Sequence, residues 1–387
     1  MASAGGHLQS DAASVRLVGV RDVTRAGPFF DDAGVGSEDF EAWLRLERSS
    51  NQSTQDTAVL LQGPRPLRKP VLGLRTPMAP SIDSRQAVVL EWIANQFRDV
   101  LAQNDFVIFS DQRRETEISA CDAHISLSVA PLDGILAISV AAEIGSRCCW
   151  SQSLQVPSGR DLASYRPQIL EFAQIAVSAA ERTLASGANA GFGAEPRFPL
   201  YRAVSQLLTQ RPHEINNATK KLYEIEELDS LPTVLAWQAF GKMLMAGERL
   251  VEDIGGTQDE AEELLNTALE LDMCNPSALA MSAHFQGFYK RNFALAIELS
   301  DEALLIAPSA PFAHDVRATL ELYRNRLSDA QRHSETASRL ARRGPMRHYV
   351  GASEVMVATL SGNHELAVQR GQTLLDARPR FLPVMRH

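Results

Sequence analysis

The sequence predicts an α+β fold: a small α/β sheet domain followed by an all-α array of helical hairpins. Three observations carry that expectation. Ala261, Ala296, Ala330 and Ala367 recur 35, 34 and 37 residues apart, each in a segment with helical periodicity. A second small or apolar residue follows each alanine by seven positions, at Ala268, Ala303, Ala337 and Leu374. Upstream, from about Pro70 to Leu184, short apolar and alternating runs surround long amphipathic ones, which is the pattern of strands mixed with helices.

The sheet domain is read over residues 70–185. PVLGLRTP (70–77) is a short apolar strand. Residues 84–104 follow as a helix, with Val88, Leu90, Ile93, Phe97, Val100 and Leu101 on or near one face. FVIFSD (106–111) is a second strand. HISLSVAP (124–131) and GILAISVAAEIG (134–145) flank Leu132-Asp133-Gly134, and an Asp-Gly pair between alternating runs signals a hairpin. RCCWSQSLQV (147–156) adds a third antiparallel strand, and a helix over 160–185 closes a βαβ-plus-meander unit.

Before this domain, residues 1–69 read as a mostly disordered segment, with a strand or strand remnant over 14–23 and a polar linker over 49–57. Within it Ser37 is an N-cap, and Phe40, Trp43, Leu44 and Leu46 make a short helix around 39–48. Three prolines in 62–70 mark a boundary. Residues 186–199, rich in Gly and Pro, read as linker, since neither GxxxxGK[ST] nor GxGxxG is present.

From 200 to 387 the pattern is helical throughout, with hairpins near 200–227, 232–271, 277–306, 312–342 and 347–377. Pro276, Pro308, Pro345 and Pro379 punctuate their ends, and Gly255-Gly256, Asn292, Asn325 and Gly362-Asn363 are expected in the turns within them. A hairpin repeat cannot bury its own apolar face, so it stacks on its neighbours, and small side chains set how closely the helices approach. The alternative is a generic helical bundle.

The stretches DEAEELLNTALELDMCNP (259–276) and ALAIELSDEALLIAPSAP (294–311) resemble the second helix and proline-bearing end of tetratricopeptide repeats. The first helices depart from that family: His284, Ala318 and Val355 stand where it prefers Gly. The order of VLGL, IANQFRDVLAQ, VIFSD, the hairpin and CCWSQSL, with its Trp150-Ser151 pair, resembles the TolB-like amino-terminal domain of bacterial regulators. DFEAWLRLERS (39–49) looks like the tail of the bacterial transcriptional activation domain of antibiotic-regulatory-type activators. The combined resemblance implies a bacterial transcriptional regulator. Its usual leading winged helix is expected to be missing, because fewer than forty residues precede Asp39.

Composition narrows the function classes. Hydrophobic residues make up 45% of 387 positions, enough for the two to three cores that roughly 100–200 residues per domain would imply. A net charge of −9 opposes a dominant nucleic-acid surface. The N-terminal MASAGGHLQSDAAS lacks a secretory pattern, and the longest aliphatic run, near Gly134 to Ala142, falls short of the ~18–20 residues of a membrane helix. A cytoplasmic location without membrane contact is expected. Cys121, Cys148, Cys149 and Cys274 show no CxxC and no metal spacing, and are expected to be buried or half-buried thiols.

No HExxH, His/Cys cluster or GxSxG elbow appears among these residues. The expectation is therefore no enzyme activity, no cofactor and no metal. Glu260, Glu262, Glu263, Asp301 and Glu302 are read as first-turn acids of second helices, favoured by the helix dipole. The arginines at 332, 339, 342, 343 and 347 make one region locally basic, and are read chiefly as a solvated helix face.

The function expected is a non-catalytic regulatory or adaptor protein that binds a protein partner. Direct DNA binding and a nucleotide-linked signalling enzyme remnant are the alternatives. Trp237, Phe240, His284, Phe288 and Tyr323 are the candidate partner-binding residues, on the groove side of the first helices, with core packing as the rival role for each. His314 is a further candidate for the groove. Because PRFLPVMRH follows the last hairpin without a polar capping helix, a homodimer through the C-terminal repeat, or a natural truncation, is expected.

Overall fold

The computed structural model describes residues 69–77, 84–113, 121–144, 147–158, 161–185, 198–225, 231–379 and 381–385. The strand expected over 14–23, the helix over 37–49, the polar stretch over 49–57 and residues 186–197 of the expected linker lie outside the described residues. The described residues belong to one compact unit.

The first part of this unit is a five-stranded sheet with helices on one face. Its elements are β1 (Val71–Arg75), α1 (Ser84–Ala102), β2 (Ile108–Asp111), β3 (Ala123–Leu132), β4 (Ile135–Ile144) and β5 (Arg147–Pro157). A 3-10 turn (Leu162–Tyr165) leads into α2 (Arg166–Ala185). Strand order is β2-β1-β3-β4-β5. Strand β1 runs parallel to β2, reached through α1, and parallel to β3, while β3, β4 and β5 form an antiparallel meander.

Alternation settles which face is covered. Leu72, Leu74, Ile125, Leu127, Ile138 and Val140 are buried with Ile93, Phe97 and Phe172 of the two helices. Asp133 and Gly134 make the two-residue β3–β4 turn at φ 31° and 82°, which is why glycine serves at the second position. In β5 the register slips where Glu143 faces Cys148 and Ala142 faces Trp150, so Cys149 is the extra residue of a bulge. Cys148 and Cys274 are exposed rather than half-buried, a correction to the expectation for both.

The second part is a tetratricopeptide-like array of antiparallel helical hairpins. They are α3 (Pro199–Leu207) with α4 (Pro212–Tyr223), α5 (Leu231–Gly247) with α6 (Ile254–Leu271), and α7 (Pro276–Phe288) with α8 (Phe293–Ile306). Two more follow: α9 (Pro311–Tyr323) with α10 (Leu327–Leu340), and α11 (Arg347–Leu360) with α12 (His364–Ala377).

The four recurrent alanines occupy matching places. In α8, α10 and α12 the alanine is the fourth residue of a 14-residue helix. In all four second helices the residue seven positions later offers its carbonyl to the C-cap amide, at Asp272, Ala307, Ala341 and Arg378 (2.8–3.0 Å). Each stripe also has a middle member, Leu265, Ser300, Ser334 or Gly371, four residues after the alanine and buried with it. Spacings of four and three put all three on one helix face.

Every hairpin turns by the same backbone device. Gln210, Arg249, Arg291, Asn325 and Gly362, each just after a first helix, take φ of 54°, 54°, 57°, 60° and 78°. Gly255-Gly256 is not in a turn: Asp253 caps the Gly256 amide at 2.9 Å, so α6 begins at Ile254 and gains a turn over its counterparts. For that reason Glu260, Glu262 and Glu263 are not first-turn acids, and neither are Asp301 and Glu302. Glu260 instead pairs with Lys242, Glu262 with Lys290 at 2.7 Å, and Asp301 with Arg317. The first and third pairs join neighbouring helices, and the second ties α6 to the turn after α7.

The segment after α12 covers the last hairpin. Phe381 and, in α13 (Leu382–Met385), Val384 are 3% and 7% exposed against Ala352, Val355, Ala367 and Leu374. A Cβ on Gly371 would meet Val384 at 3.4 Å, an ordinary contact distance, so this piece lies directly against the α12 stripe.

Candidate protein-binding surface

The first helices of the array, α5, α7, α9 and α11, send aromatic rings toward one another. Phe240 of α5 lies 5.1 Å from Phe312 of α9 and 5.6 Å from Tyr349 of α11, edge to face in both cases. Trp237 stands 5.8 Å from Phe240 and 6.0 Å from Phe312. His284 of α7 joins them, 6.1 Å from Phe240 and 6.3 Å from Phe312. Rings from four helices therefore fill this space, and Trp237 and Phe240 have no exposed area at all.

Phe288 and Tyr323 sit differently. They are 42% and 40% exposed at the C-terminal ends of α7 and α9. His284 stacks on Phe288 at 5.6 Å, and Phe288 meets Tyr289 at 5.0 Å. Tyr323 lies 5.9 Å from Phe293, and the Arg291 guanidinium rests over its ring at 5.9 Å. Arg291 has no acidic partner among the described residues. Tyr289 anchors this rim by donating to the Met243 carbonyl at 2.6 Å. Two half-exposed aromatic groups result, one of His284, Phe288 and Tyr289 and one of Tyr323 with Phe293 and the Arg291 cation.

Electrostatics follow burial. The His284 imidazole is pushed down to about 4 by its enclosure, so it is neutral at pH 7 and serves as an aromatic face. Burial raises the Tyr289 hydroxyl to about 12 and lifts that of Tyr323 as well. Of the five candidate residues, the structure buries Trp237 and Phe240 completely and leaves His284 half-buried against Phe240. It leaves Phe288 and Tyr323 at the surface. His314 is placed against His333 of α10, Nδ1 to Nδ1 at 3.0 Å, while its Nε2 donates to the Pro308 carbonyl at 3.0 Å.

Sequence reading missed the residues that dock the sheet part on the array. Asp105, in the turn after α1, accepts the Ser277 hydroxyl at 2.7 Å and the Trp237 indole N–H at 3.1 Å. Phe106 stacks on Trp237 at 6.5 Å and meets Tyr201 of α3 edge-on at 5.3 Å. One continuous core results, from Leu72 in β1 to Val350 in α11. No local signal announces this contact, because Asp105 and Trp237 are 132 residues apart.

Among the described residues, no group of three or more His, Cys, Asp or Glu is placed to hold a metal ion. None of the described helices is long and apolar enough to cross a membrane.

No protein-family model matches the chain, and no curated protein matches it. Among solved structures the chain is similar to YrrB, described as a TPR protein with an unusual peptide-binding site: 15% identity, 49% of this chain and 89% of that one, TM-score 0.28. It is also similar to the APC/C hetero-tetramer Cut9-Hcn1, at 13% identity over 57% of this chain and 55% of that one, TM-score 0.25. At these scores neither likeness bears on partner or site, and the repeat architecture stands on the packing described above.

Proposed function

We propose that this chain is a non-catalytic regulatory or adaptor protein whose helical array binds a protein partner, in the service of transcriptional control. The observation that carries the reading is the pair of half-exposed rings at the C-terminal ends of α7 and α9, Phe288 and Tyr323, the second with Arg291 laid over it. Aromatic and arginine side chains dominate protein interfaces because they bring large contact area together with a polar end. The rim matches a peptide segment that offers an apolar side chain next to a carboxylate. The filled interior supports the same choice of surface, since Trp237 and Phe240 expose no area to a partner.

The transcriptional part of the proposal draws on the order of segments resembling an activation-domain tail, a TolB-like domain and tetratricopeptide repeats. A cytoplasmic setting belongs to the same reading. A homodimer through the last repeat would have to use Leu360 and Val368, which are 61% and 72% exposed. Light scattering over a range of concentrations reads that state directly.

The test is quantitative capture from native lysate with wild-type protein and with a Phe288→Ala/Tyr323→Ala double variant. A partner held by wild type should bind the variant at least about tenfold more weakly, on the hot-spot scale of ~2 kcal/mol or more, with melting temperature unchanged. Equal capture by both proteins sinks the rim as the interface. Salt-sensitive shifting of nonspecific duplex would favour DNA binding, and stabilisation by nucleotides would favour the enzyme remnant.

A further inference from the structure

Strand β5 ends one side of the sheet, with no strand paired beyond it among the described residues. Ser151, Gln152, Ser153 and Gln155 are exposed, so the edge stands open along these positions. An open edge offers a row of backbone N–H and C=O groups to another strand, and proteins guard such rows with charges, prolines or bulges. Here the guards stand only at the two ends. The Cys149 bulge closes one end, and Pro157, which has no N–H, closes the other. Between them lie seven residues, 150–156, and none of them is charged.

The direction of the backbone groups follows from the pairing with β4. Ser158 donates to the Gly134 carbonyl at 2.9 Å, and an antiparallel ladder alternates hydrogen-bonded pairs with non-bonded ones. Residues 152, 154 and 156 therefore bond to β4, while Ser151, Ser153 and Gln155 turn their N–H and C=O outward. Ser153 is the midpoint of these three, and also of the whole stretch from bulge to proline.

The side chains end at the same place. Ser128 of β3 faces Ser139 of β4, which faces Ser153 of β5, with 2.8 Å between the last two hydroxyls. This serine row crosses the sheet on the side away from the helices and stops at the edge. On the helix side Trp150 and Leu154 are half-buried against the core, so apolar surface stops there too.

We propose that β5 pairs antiparallel with β5 of a second copy of this chain, about a two-fold axis at Ser153. Position 153 then faces itself, Ser151 faces Gln155 and Trp150 faces Val156 across the axis. Three pairs exchange two hydrogen bonds each, about six in all. The bulge of one copy meets Pro157 of the other, so pairing stops where neither chain offers a full set of groups. A two-fold interface must be self-complementary, and a neutral stretch centred on one residue meets that demand without like-charge contacts. A partner of other sequence would use the open edge but would not account for its symmetry. The interface involves neither Phe288 and Tyr323 nor the last hairpin, so it is independent of both surfaces.

The test is sedimentation velocity of the full chain over a range of concentrations. Wild type should shift toward twice the monomer mass as concentration rises. Ser153→Lys and Ser153→Glu, each alone, should weaken self-association at least about tenfold, because the axis sets like charges face to face. An equal mixture of the two should restore association as a heterodimer. Gln155→Pro should also weaken it about tenfold, since it removes an N–H that β4 does not use. Leu360→Ser/Val368→Ser should dimerise as wild type does. A wild type that stays monomeric overturns the proposal, as does wild-type association in either charged variant alone or in Gln155→Pro. Failure of the mixture to associate overturns it, and so does loss of the dimer in Leu360→Ser/Val368→Ser, which assigns the contact to the last hairpin. Ser153 is exposed, so the charged variants should keep the wild-type melting temperature. Should they unfold, Gln155→Pro and Leu360→Ser/Val368→Ser decide.

Discussion

From α5 to α12 the first and second helices of each hairpin are nearly equal in length and bury very different fractions of themselves. In α7 eight of 13 residues are buried, and in α8 three of 14. In α5 and α6 the numbers are ten of 17 and four of 18. A first helix is enclosed on several sides, by its own partner, by neighbouring first helices and, at α5 and α7, by the sheet part. A second helix touches protein along one stripe and water elsewhere. The lesson is that a one-sided helix writes its packing as a repeat, whereas an enclosed helix needs apolar residues all round and shows no period.

That contrast sets a series of expected outcomes. The largest is for Trp237→Ala in α5, which removes ring contacts to Phe106, Phe240 and Phe312 and deprives Asp105 of a donor. A loss of about 3–5 kcal/mol is expected in urea unfolding. A loss under ~1 kcal/mol would mean that first helices are not the enclosed ones.

On the other side of the comparison, Ala303→Leu should cost about 1–3 kcal/mol, because Ala303 has no exposed area and the cleft between helices cannot widen cheaply. Leu305→Ser, two residues on and 75% exposed, should move stability by no more than about 0.5 kcal/mol. Similar costs for the two would erase the one-stripe description of α8.

Glu181 of α2 sharpens the role of the sheet part. Its folded pKa of about 8 lies above the ordinary value of 4.5, so the folded state favours the protonated acid. That contribution is complete below about pH 4.5 and is lost as pH rises through about 8. Glu181→Gln should therefore gain roughly 1–2 kcal/mol relative to wild type between pH 6 and pH 9. Parallel stability curves over that range would show that the carboxyl is better solvated than its position implies.

The smallest effect concerns the turns. Arg249 takes φ 54°, where a side chain costs about 1–2 kcal/mol and glycine does not. Glycine's freer unfolded state offsets part of that relief, so Arg249→Gly should stabilise by about 0.5 kcal/mol. A destabilised variant would mean that the arginine side chain contributes more than its backbone costs.

The sheet part and the hairpins were legible to within a few residues, because strand alternation, the Asp133-Gly134 turn and the alanine stripes are local signals. Errors occurred where a local signal has two meanings. Gly255-Gly256 reads as a turn, yet Asp253 caps the helix at that point and carries it through both glycines. The aromatic residues of the first helices read as groove lining, and the structure gives Trp237 and Phe240 to the interior while leaving Phe288 and Tyr323 exposed. An aromatic side chain suits a core and an interface for the same reason, its large apolar area, so the residue type cannot separate the two.

The sequence by itself determined the elements, their order and the small-residue stripes, since each depends on residues within a few helical turns of one another. Tertiary structure alone decided which rings face water, that Asp105 docks on Ser277 and Trp237, and that the Asp105 and Glu181 carboxyls line one cavity. Those outcomes depend on pairs more than a hundred residues apart, where proximity is set by the summed packing of every intervening helix.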